Sequence, residues 1–188
     1  MSLSRKLYIT SFLIIPIWIV FGLDLLLPID FLQFGIKPRE IEGLQGILFS
    51  PFLHANLTHI ISNSIPLFVL TLTLFLFYEK QAIAVWVGIM LMGGSLVWIF
   101  AGLFSGPSVH VGASGVIYGL VAFLIVFGIY QKSFQSILIS IIVLFAYGSI
   151  MFGVLPNRPQ ISWQGHLYGA LSGIYMAYFF RGKKRVSK

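Results

Sequence analysis

Four polar residues in this chain could carry out chemistry, and each lies near the start of a long apolar stretch. Ser114 lies in a Gly-Ala-Ser-Gly sequence, and His166 follows a glycine about fifty residues later. His59 and Asn63 are four residues apart, so both project from the same face of a helix. Strongly polar side chains within apolar spans are costly and are therefore functional candidates by default.

Ser114 and His166 could form a nucleophile and its base. A serine becomes an effective nucleophile when a neutral histidine within hydrogen-bond reach takes its proton. A carboxylate usually orients that histidine, but of the five acidic residues only Asp24 lies near the interior of a span, and we interpret it as a boundary residue. The sequence therefore favours a dyad, with Tyr118, four residues after Ser114, holding the imidazole. The structural alternatives are a helix cap or helix contact for Ser114 and plain packing for His166 and Tyr118.

His59 and Asn63 can both donate hydrogen bonds. Beside the backbone N–H of Ser114, which would lack an intrahelical acceptor, they could stabilise an oxyanion. The alternative is hydrogen bonding between helices. Metal binding is disfavoured because a His/Asn pair without carboxylate or cysteine is a poor site, so we expect neither metal nor cofactor. We expect His54 to be structural and assign no role to His110.

The elements that must position these residues are membrane spans. The chain is 58% hydrophobic and 9% charged, against roughly 25% charged in soluble domains, which excludes a soluble globular protein. A spanning helix needs about 20 apolar residues, and helices satisfy their own backbone in lipid. We predict an all-α polytopic membrane protein, a six-helix bundle forming one domain over 1–188 without a separate soluble domain. The expected spans are 7–27, 57–78, 82–104, 113–130, 134–154 and 164–180, the first a true span and not a signal peptide.

The basic residues set the expected orientation. With a cytoplasmic N-terminus, nine Lys and Arg residues fall inside and three outside, as the positive-inside rule requires. The charge of +7 thus reflects topology, and no nucleic-acid partner is expected. The second, fourth and sixth spans then run in one direction. Counting about 1.5 Å per residue places Ser114, His166 and Asn63 about 27, 22 and 24 Å above the inner ends of their spans, which is nearly one level.

Glycines predict which helices touch. Gly165, Gly169 and Gly173 repeat every four residues, and Gly115 and Gly119 have the same spacing in the fourth span. Small residues at this spacing let two membrane helices approach closely. We therefore expect the fourth and sixth spans to pack together, with His166 beside Ser114.

Together these blocks resemble the rhomboid family of intramembrane serine proteases. The resemblance implies that Ser114 is the nucleophile and that His166 is the general base and acid. It implies an oxyanion hole formed by His59, Asn63 and the Ser114 N–H, with Gly112 keeping that backbone open. It also implies that Tyr118 stacks on His166. The matching residues are His54, His59 to Asn63, Gly112 to Gly115, Tyr118, Gly119, Gly165, His166, Gly169 and Gly173.

The expected activity is hydrolysis of peptide bonds in or near transmembrane segments. The partners are then the lipid bilayer and membrane-protein substrates, and the location is a bacterial inner membrane with both termini cytoplasmic. The oligomeric state stays open. The chain has Leu44-Gln45-Gly46-Ile47 where many rhomboids carry a Trp-Arg pair, so we expect the first loop, about 28–50, to be anchored differently. Pro156 and Pro159 interrupt the connection between the fifth and sixth spans. We therefore expect this loop, at about 155–163, to be a mobile cap over the site.

Two other classes of protein compete with this interpretation. A catalytically inactive relative that binds membrane proteins would be expected to have lost the serine or the histidine, and both are present. A transporter or channel would need a polar path across the bilayer, whereas the polar residues gather in the outer third of the spans.

Overall fold

The protein is a bundle of long helices joined by short helical turns. The computed structural model describes residues 1–103, 106, 108–156 and 162–182. Within these residues the only β-type pairing is an isolated bridge between Ile36 and His110, so the all-α prediction is confirmed. The α-helices are α1 (Leu3–Leu26), α2 (Gly46–Phe49), α3 (Leu57–Phe77), α4 (Glu79–Phe100), α5 (Ser114–Gln131), α6 (Phe134–Tyr147) and α7 (Trp163–Phe180). The 3₁₀ helices are Phe31–Phe34, Ile41–Gly43, Ser50–Phe52 and Gly148–Val154.

Side-chain caps start four of the long helices. The side chains of Ser2, Asn56, Ser133 and Ser162 each accept a hydrogen bond from the backbone N–H three residues further on. Such a cap satisfies one of the N–H groups that the first helical turn leaves without a partner. These polar residues at the span boundaries therefore determine where each helix begins.

Among the described residues, five helical segments are long and apolar enough to cross a membrane, so the protein is an integral multi-pass membrane protein. They are α1, α3, α4, α5 and the combined segment Phe134–Val154. The expected span at 164–180 corresponds to α7, which is not among the five. Its polar and small residues, including Gln164, Gly169 and Ser172, are buried inside the bundle. The sixth crossing stays a prediction.

Several helix boundaries differ from the expected ones, and α1 begins at Leu3, whereas we expected residue 7. α4 begins at Glu79 and ends at Phe100, whereas we expected 82–104, because Tyr78 alone separates it from α3. The regular helix α6 ends at Tyr147, and the chain then tightens into the 3₁₀ helix Gly148–Val154. This tighter segment supplies two backbone carbonyls to the candidate site described below.

Helix α5 is the central element of the bundle. Its apolar window is 61% buried, against 17% to 39% for the other four candidate spans. It contacts α3, α4, α6 and α7, while α1 packs on α3 at the periphery. Large apolar side chains such as Phe12 and Phe145 stay exposed on the outer helices. A surface of this kind suits contact with lipid chains and would be a liability in water.

The first loop is anchored by Arg39, which lies in the loop, and by Trp98, which lies in α4. Neither residue belongs to the segment 44–47, where the family resemblance would place a Trp-Arg pair. The Arg39 guanidinium donates to the carbonyl of Ala101 at 2.6 Å, just after α4. The Trp98 indole N–H donates to the carbonyl of Glu40 at 2.8 Å, and the Arg39 N–H donates to the Trp98 carbonyl. The loop is thus anchored to the C-terminal end of α4.

Helices α5 and α7 meet along four glycines. A Cβ atom on Gly169 would collide with the backbone of Gly115, and one on Gly173 would collide with the backbone of Gly119. The two backbones are therefore in direct contact, as the four-residue glycine spacing suggests.

Replacing Gly169 with alanine tests this contact. We expect Gly169→Ala to lower the free energy of unfolding by about 1–3 kcal/mol or more, because the added methyl group meets rigid backbone. The matched control is Gly22→Ala in α1, where a Cβ meets nothing within 4 Å. At Gly22 the substitution should raise the free energy of unfolding slightly, because alanine has a better helix propensity than glycine. Denaturation in detergent would measure both variants, and equal effects would contradict the close contact.

Candidate active site

Ser114 is the first residue of α5, and its hydroxyl faces the helix that carries His166. The cap position belongs to Ala113, which makes no side-chain cap bond, so the alternative of Ser114 as a helix cap does not hold. Instead, Ser114 Oγ lies 2.9 Å from His166 Nε2. The two helix N-termini thus bring together a hydroxyl and an imidazole that are 52 residues apart in the chain.

His166 lies in the first turn of α7 and is held on two sides. Its Nδ1 is 2.9 Å from the carbonyl oxygen of Gly153, and its ring stacks on Tyr118 with centroids 4.0 Å apart and planes 8° from parallel. A carbonyl can only accept, so Nδ1 carries the proton of a neutral ring. Nε2 then presents its lone pair to the hydroxyl of Ser114.

Gly153 was not foreseen as a site residue. Its carbonyl occupies the position where a triad would have a carboxylate, and the Tyr118 hydroxyl donates to the nearby carbonyl of Ile150. A Cβ on Gly153 would collide with the Tyr118 hydroxyl and come within 3.1 Å of His166 Nδ1. Its only sequence signal was a glycine inside an apolar stretch, which does not by itself reveal a long-range hydrogen bond.

His59, Asn63 and Gly112 lie together beside the start of α5. Gly112 has φ +105°, a conformation that favours glycine. A Cβ on it would lie 2.6 Å from His59 Nε2 and 3.6 Å from Asn63 Nδ2. The Gly112 N–H donates to the Ser50 carbonyl at 2.8 Å, which fixes this peptide. As the first helical residue, Ser114 has a backbone N–H without an intrahelical acceptor. The start of α5 therefore has hydrogen-bond donors from Ser114, His59 and Asn63.

Asp24 and Glu79 make contacts outside the dyad. Asp24 Oδ1 accepts from the backbone N–H of Phe31 at 2.8 Å, after the end of α1. Glu79 pairs with the Met1 amino group and with Lys6. Among the residues that the structure describes, no group of three or more His, Asp or Glu could hold a metal ion.

Two further histidines lie buried in the loops. The ring of His54 packs against the ring of His59 with centroids 4.9 Å apart, and burial, helped by His59, lowers the pKa of His54 to about 4. The ring of His110 lies between Ser108 and Ser162, and burial lowers the pKa of His110 to about 4. The sequence assigns no role to His110, and its partner Ser162 is 52 residues away in the chain.

The expected mobile cap lies mostly beyond the part of the chain that can be described. Residues 157–161, which include Pro159, fall outside the described residues, as does the basic tail after Gly182. The cap stays a prediction. The described chain resumes at Ser162, directly before α7.

Comparison with known proteins decides the family. The sequence profile described as Rhomboid domain matches residues 42–183, a range that contains every candidate site residue. The chain belongs to the rhomboid family. Rhomboids are intramembrane serine proteases, which fits a polar site at the ends of apolar helices.

Relatives of this rhomboid come from mycobacteria. Uncharacterized proteins of Mycobacterium tuberculosis and Mycobacterium bovis are each 40% identical to it over 159 residues, which cover 82% of this chain and 66% of theirs. An uncharacterized protein of Mycobacterium leprae is also 40% identical over 159 residues, which cover 82% of this chain and 63% of its own. The rhomboid chain thus spans somewhat less than two thirds of the length of these relatives.

The buried loop histidines predict that acid destabilises this rhomboid. In the folded protein His54 and His110 stay neutral down to pH about 4, whereas in the unfolded chain they take up protons below about pH 6.5. The unfolded state therefore binds more protons in this range. The free energy of unfolding should fall as the pH drops from 6.5 to 4, by up to about 3 kcal/mol per histidine.

Chemical denaturation of wild type and His110→Gln at pH 7, 5 and 4 would measure this contribution. The variant lacks one of the two titrating groups, so its stability should fall less steeply with acid. Identical pH dependence in the two proteins would show that His110 does not stay neutral in the fold.

Proposed function

We propose that this rhomboid is an intramembrane serine endopeptidase that works through a Ser114–His166 dyad. The observation that carries the proposal is the hydrogen bond between Ser114 Oγ and His166 Nε2 at 2.9 Å. The Gly153 carbonyl on Nδ1 supports it, because that bond leaves Nε2 free to accept a proton. A serine oriented toward a neutral imidazole is the arrangement that acyl transfer requires.

The reaction begins when His166 Nε2 takes the Ser114 proton as Oγ attacks the carbonyl carbon of the scissile bond. The oxyanion that forms accepts hydrogen bonds from the Ser114 N–H, His59 and Asn63. Removing one such donor typically costs about 2.7–4 kcal/mol of transition-state stabilisation. His166 then gives its proton to the leaving amine, and an acyl-enzyme remains on Ser114.

Hydrolysis of the acyl-enzyme uses the same groups in reverse. His166 takes a proton from water, the hydroxide attacks the ester carbonyl, and Ser114 leaves with the proton that His166 returns. A cavity of about 40 Å³, lined in part by Ser50, His110 and Ser114, lies beside the nucleophile. That volume exceeds what a water molecule needs, and the polar lining offers it partners.

Tyr118 and Gly153 support the charged state of the imidazole. During each proton transfer His166 becomes an imidazolium, and its Nδ1–H bond to the Gly153 carbonyl becomes charge-assisted and stronger. The face of the Tyr118 ring lies parallel to the imidazole and attracts the transient positive charge. These neutral groups replace the carboxylate of a triad without placing a fixed charge in the bundle.

The substrate class follows from the surroundings of the dyad. The site lies at the ends of apolar helices whose outer faces suit lipid, so the polypeptide that reaches it is a transmembrane segment. A helix hides its carbonyls in its own hydrogen bonds, and the segment must unwind locally before attack. We place the site toward the outer face of a bacterial inner membrane, with both termini cytoplasmic, on the charge bias of the loops.

Cleavage of a single-span model substrate by purified protein tests the proposal. Wild type should cleave it, and Ser114→Ala and His166→Ala should lose activity by about 10⁴-fold or more, to background. Asn63→Ala should lower kcat by about 10²–10³-fold through loss of an oxyanion donor. Peptide products would be followed by gel and mass spectrometry in detergent and in liposomes.

Ser140→Ala is the matched control for loss of a buried serine. Ser140 bonds the carbonyls of Leu124 and Ile125 between α5 and α6, away from the dyad, so its loss should leave kcat near the wild-type value. Cleavage that persists in Ser114→Ala would refute the assigned nucleophile.

A further inference from the structure

The structure contains a second serine–histidine pair beside the dyad. Each residue of this outer pair precedes a dyad residue by four positions in the sequence. His110 precedes Ser114 by four residues, and Ser162 precedes His166 by four, so the two residue types are exchanged. His110 Nδ1 lies 2.6 Å from Ser162 Oγ. Each pair joins two segments of the chain. One segment lies at the N-terminal end of α5, and the other lies at the N-terminal end of α7. No proton transfer in the proposed reaction uses the outer pair, although His110 lines the cavity beside Ser114.

The hydrogen bonds around the outer pair are consistent with one arrangement that uses every polar atom. Ser162 Oγ accepts from the Gly165 N–H at 3.2 Å and so caps α7. Its hydroxyl proton can then be donated to His110 Nδ1, and the Nε2–H of His110 can be donated to Ser108 Oγ at 2.9 Å. Because Ser162 Oγ serves as the cap of α7, its role is to hold that helix end.

Ser162 acts on His166 through the backbone as well. Its carbonyl accepts the N–H of His166 at 3.1 Å, so the residue that His110 holds is bonded to the peptide of the catalytic histidine. A shift of Ser162 would therefore be transmitted to the imidazole within one helical turn.

His110 is itself held firmly. Its backbone N–H donates to the Ile36 carbonyl at 2.9 Å, and its carbonyl accepts the Ile36 N–H at 3.0 Å. His110 as a whole residue is 6% exposed. Since Arg39 and Trp98 anchor the same loop to α4, the position of His110 is fixed from outside the α5–α7 pair.

We propose that His110 is a positioning residue for the dyad, which sets the separation of Ser114 and His166 by holding the cap of α7. The inference rests on the proposed function. The glycine contact between α5 and α7 brings the backbones close but offers few side chains that interlock along the helix axis. The His110–Ser162 bond supplies a fixed point along that axis, one helical turn from the reacting atoms.

The test compares variants that keep or lose this one bond. His110→Gln places its amide near the position of Nε2 and loses the contact with Ser162, whereas His110→Asn places its amide near Nδ1 and can keep it. Ser162→Ala removes the partner, and Ser162→Thr retains a hydroxyl. The matched control is Ser133→Ala, which removes the corresponding cap serine of α6 far from the dyad.

Two readouts separate positioning from stability. The first is the rate at which a fluorophosphonate probe labels Ser114 in the full chain, normalised to the folded fraction. The second is the separate measurement of kcat and KM on the single-span substrate. We expect His110→Gln and Ser162→Ala to lower the labelling rate and kcat by about tenfold to a hundredfold with KM nearly unchanged, because small displacements of reacting groups have effects of this size. His110→Asn and Ser162→Thr should recover most of the rate, and Ser133→Ala should retain it.

Three results would overturn the inference. One is a wild-type rate in folded His110→Gln and Ser162→Ala. Another is a rate loss in Ser133→Ala equal to theirs, which would mean that cap removal alone acts through stability. The third is failure of both His110→Asn and Ser162→Thr to recover the rate. Failure of the proposed function is distinguishable from these, because wild type itself would then neither react with the probe nor cleave substrate.

Discussion

The backbone contact between α5 and α7 is the constraint on which the candidate active site depends. Four glycines let the two helices approach so closely that a methyl group on Gly169 or Gly173 would collide with backbone. This contact places the two helix N-termini side by side, with Ser114 on one and His166 on the other. It also explains why α7 is less apolar than the other long helices, since its small and polar residues face protein and not lipid.

The site is assembled from neutral groups, and the surroundings explain why. A buried carboxylate within an apolar bundle would carry a large desolvation penalty unless it were paired. Here the imidazole of His166 is oriented by the Gly153 carbonyl and by the ring of Tyr118. The oxyanion donors that we propose are an amide, an imidazole and a backbone N–H. His110 and Ser162 extend the same principle to the loops, where a part-buried neutral pair connects two segments.

Local patterns in the sequence predicted the parts of the structure that depend on short spacings. The all-α membrane fold and the rhomboid family are confirmed. The four-residue glycine repeat indicated which helices would touch, because residues four positions apart lie on the same face of a helix. Gly153 and the His110–Ser162 bond could not be foreseen in this way, since their partners are 13 and 52 residues away. The first loop shows the same limit, because Arg39 contacts Ala101 only after the chain has crossed the bundle twice.

An experimental structure of the protein after reaction with a fluorophosphonate would test the Ser114–His166 dyad and its oxyanion donors together. We expect a covalent bond from phosphorus to Ser114 Oγ, with the phosphoryl oxygen within hydrogen-bond distance of the Ser114 N–H, His59 and Asn63. We also expect His166 Nδ1 to stay bonded to the Gly153 carbonyl. A phosphoryl oxygen directed away from these donors, or an adduct on a residue other than Ser114, would contradict this expectation.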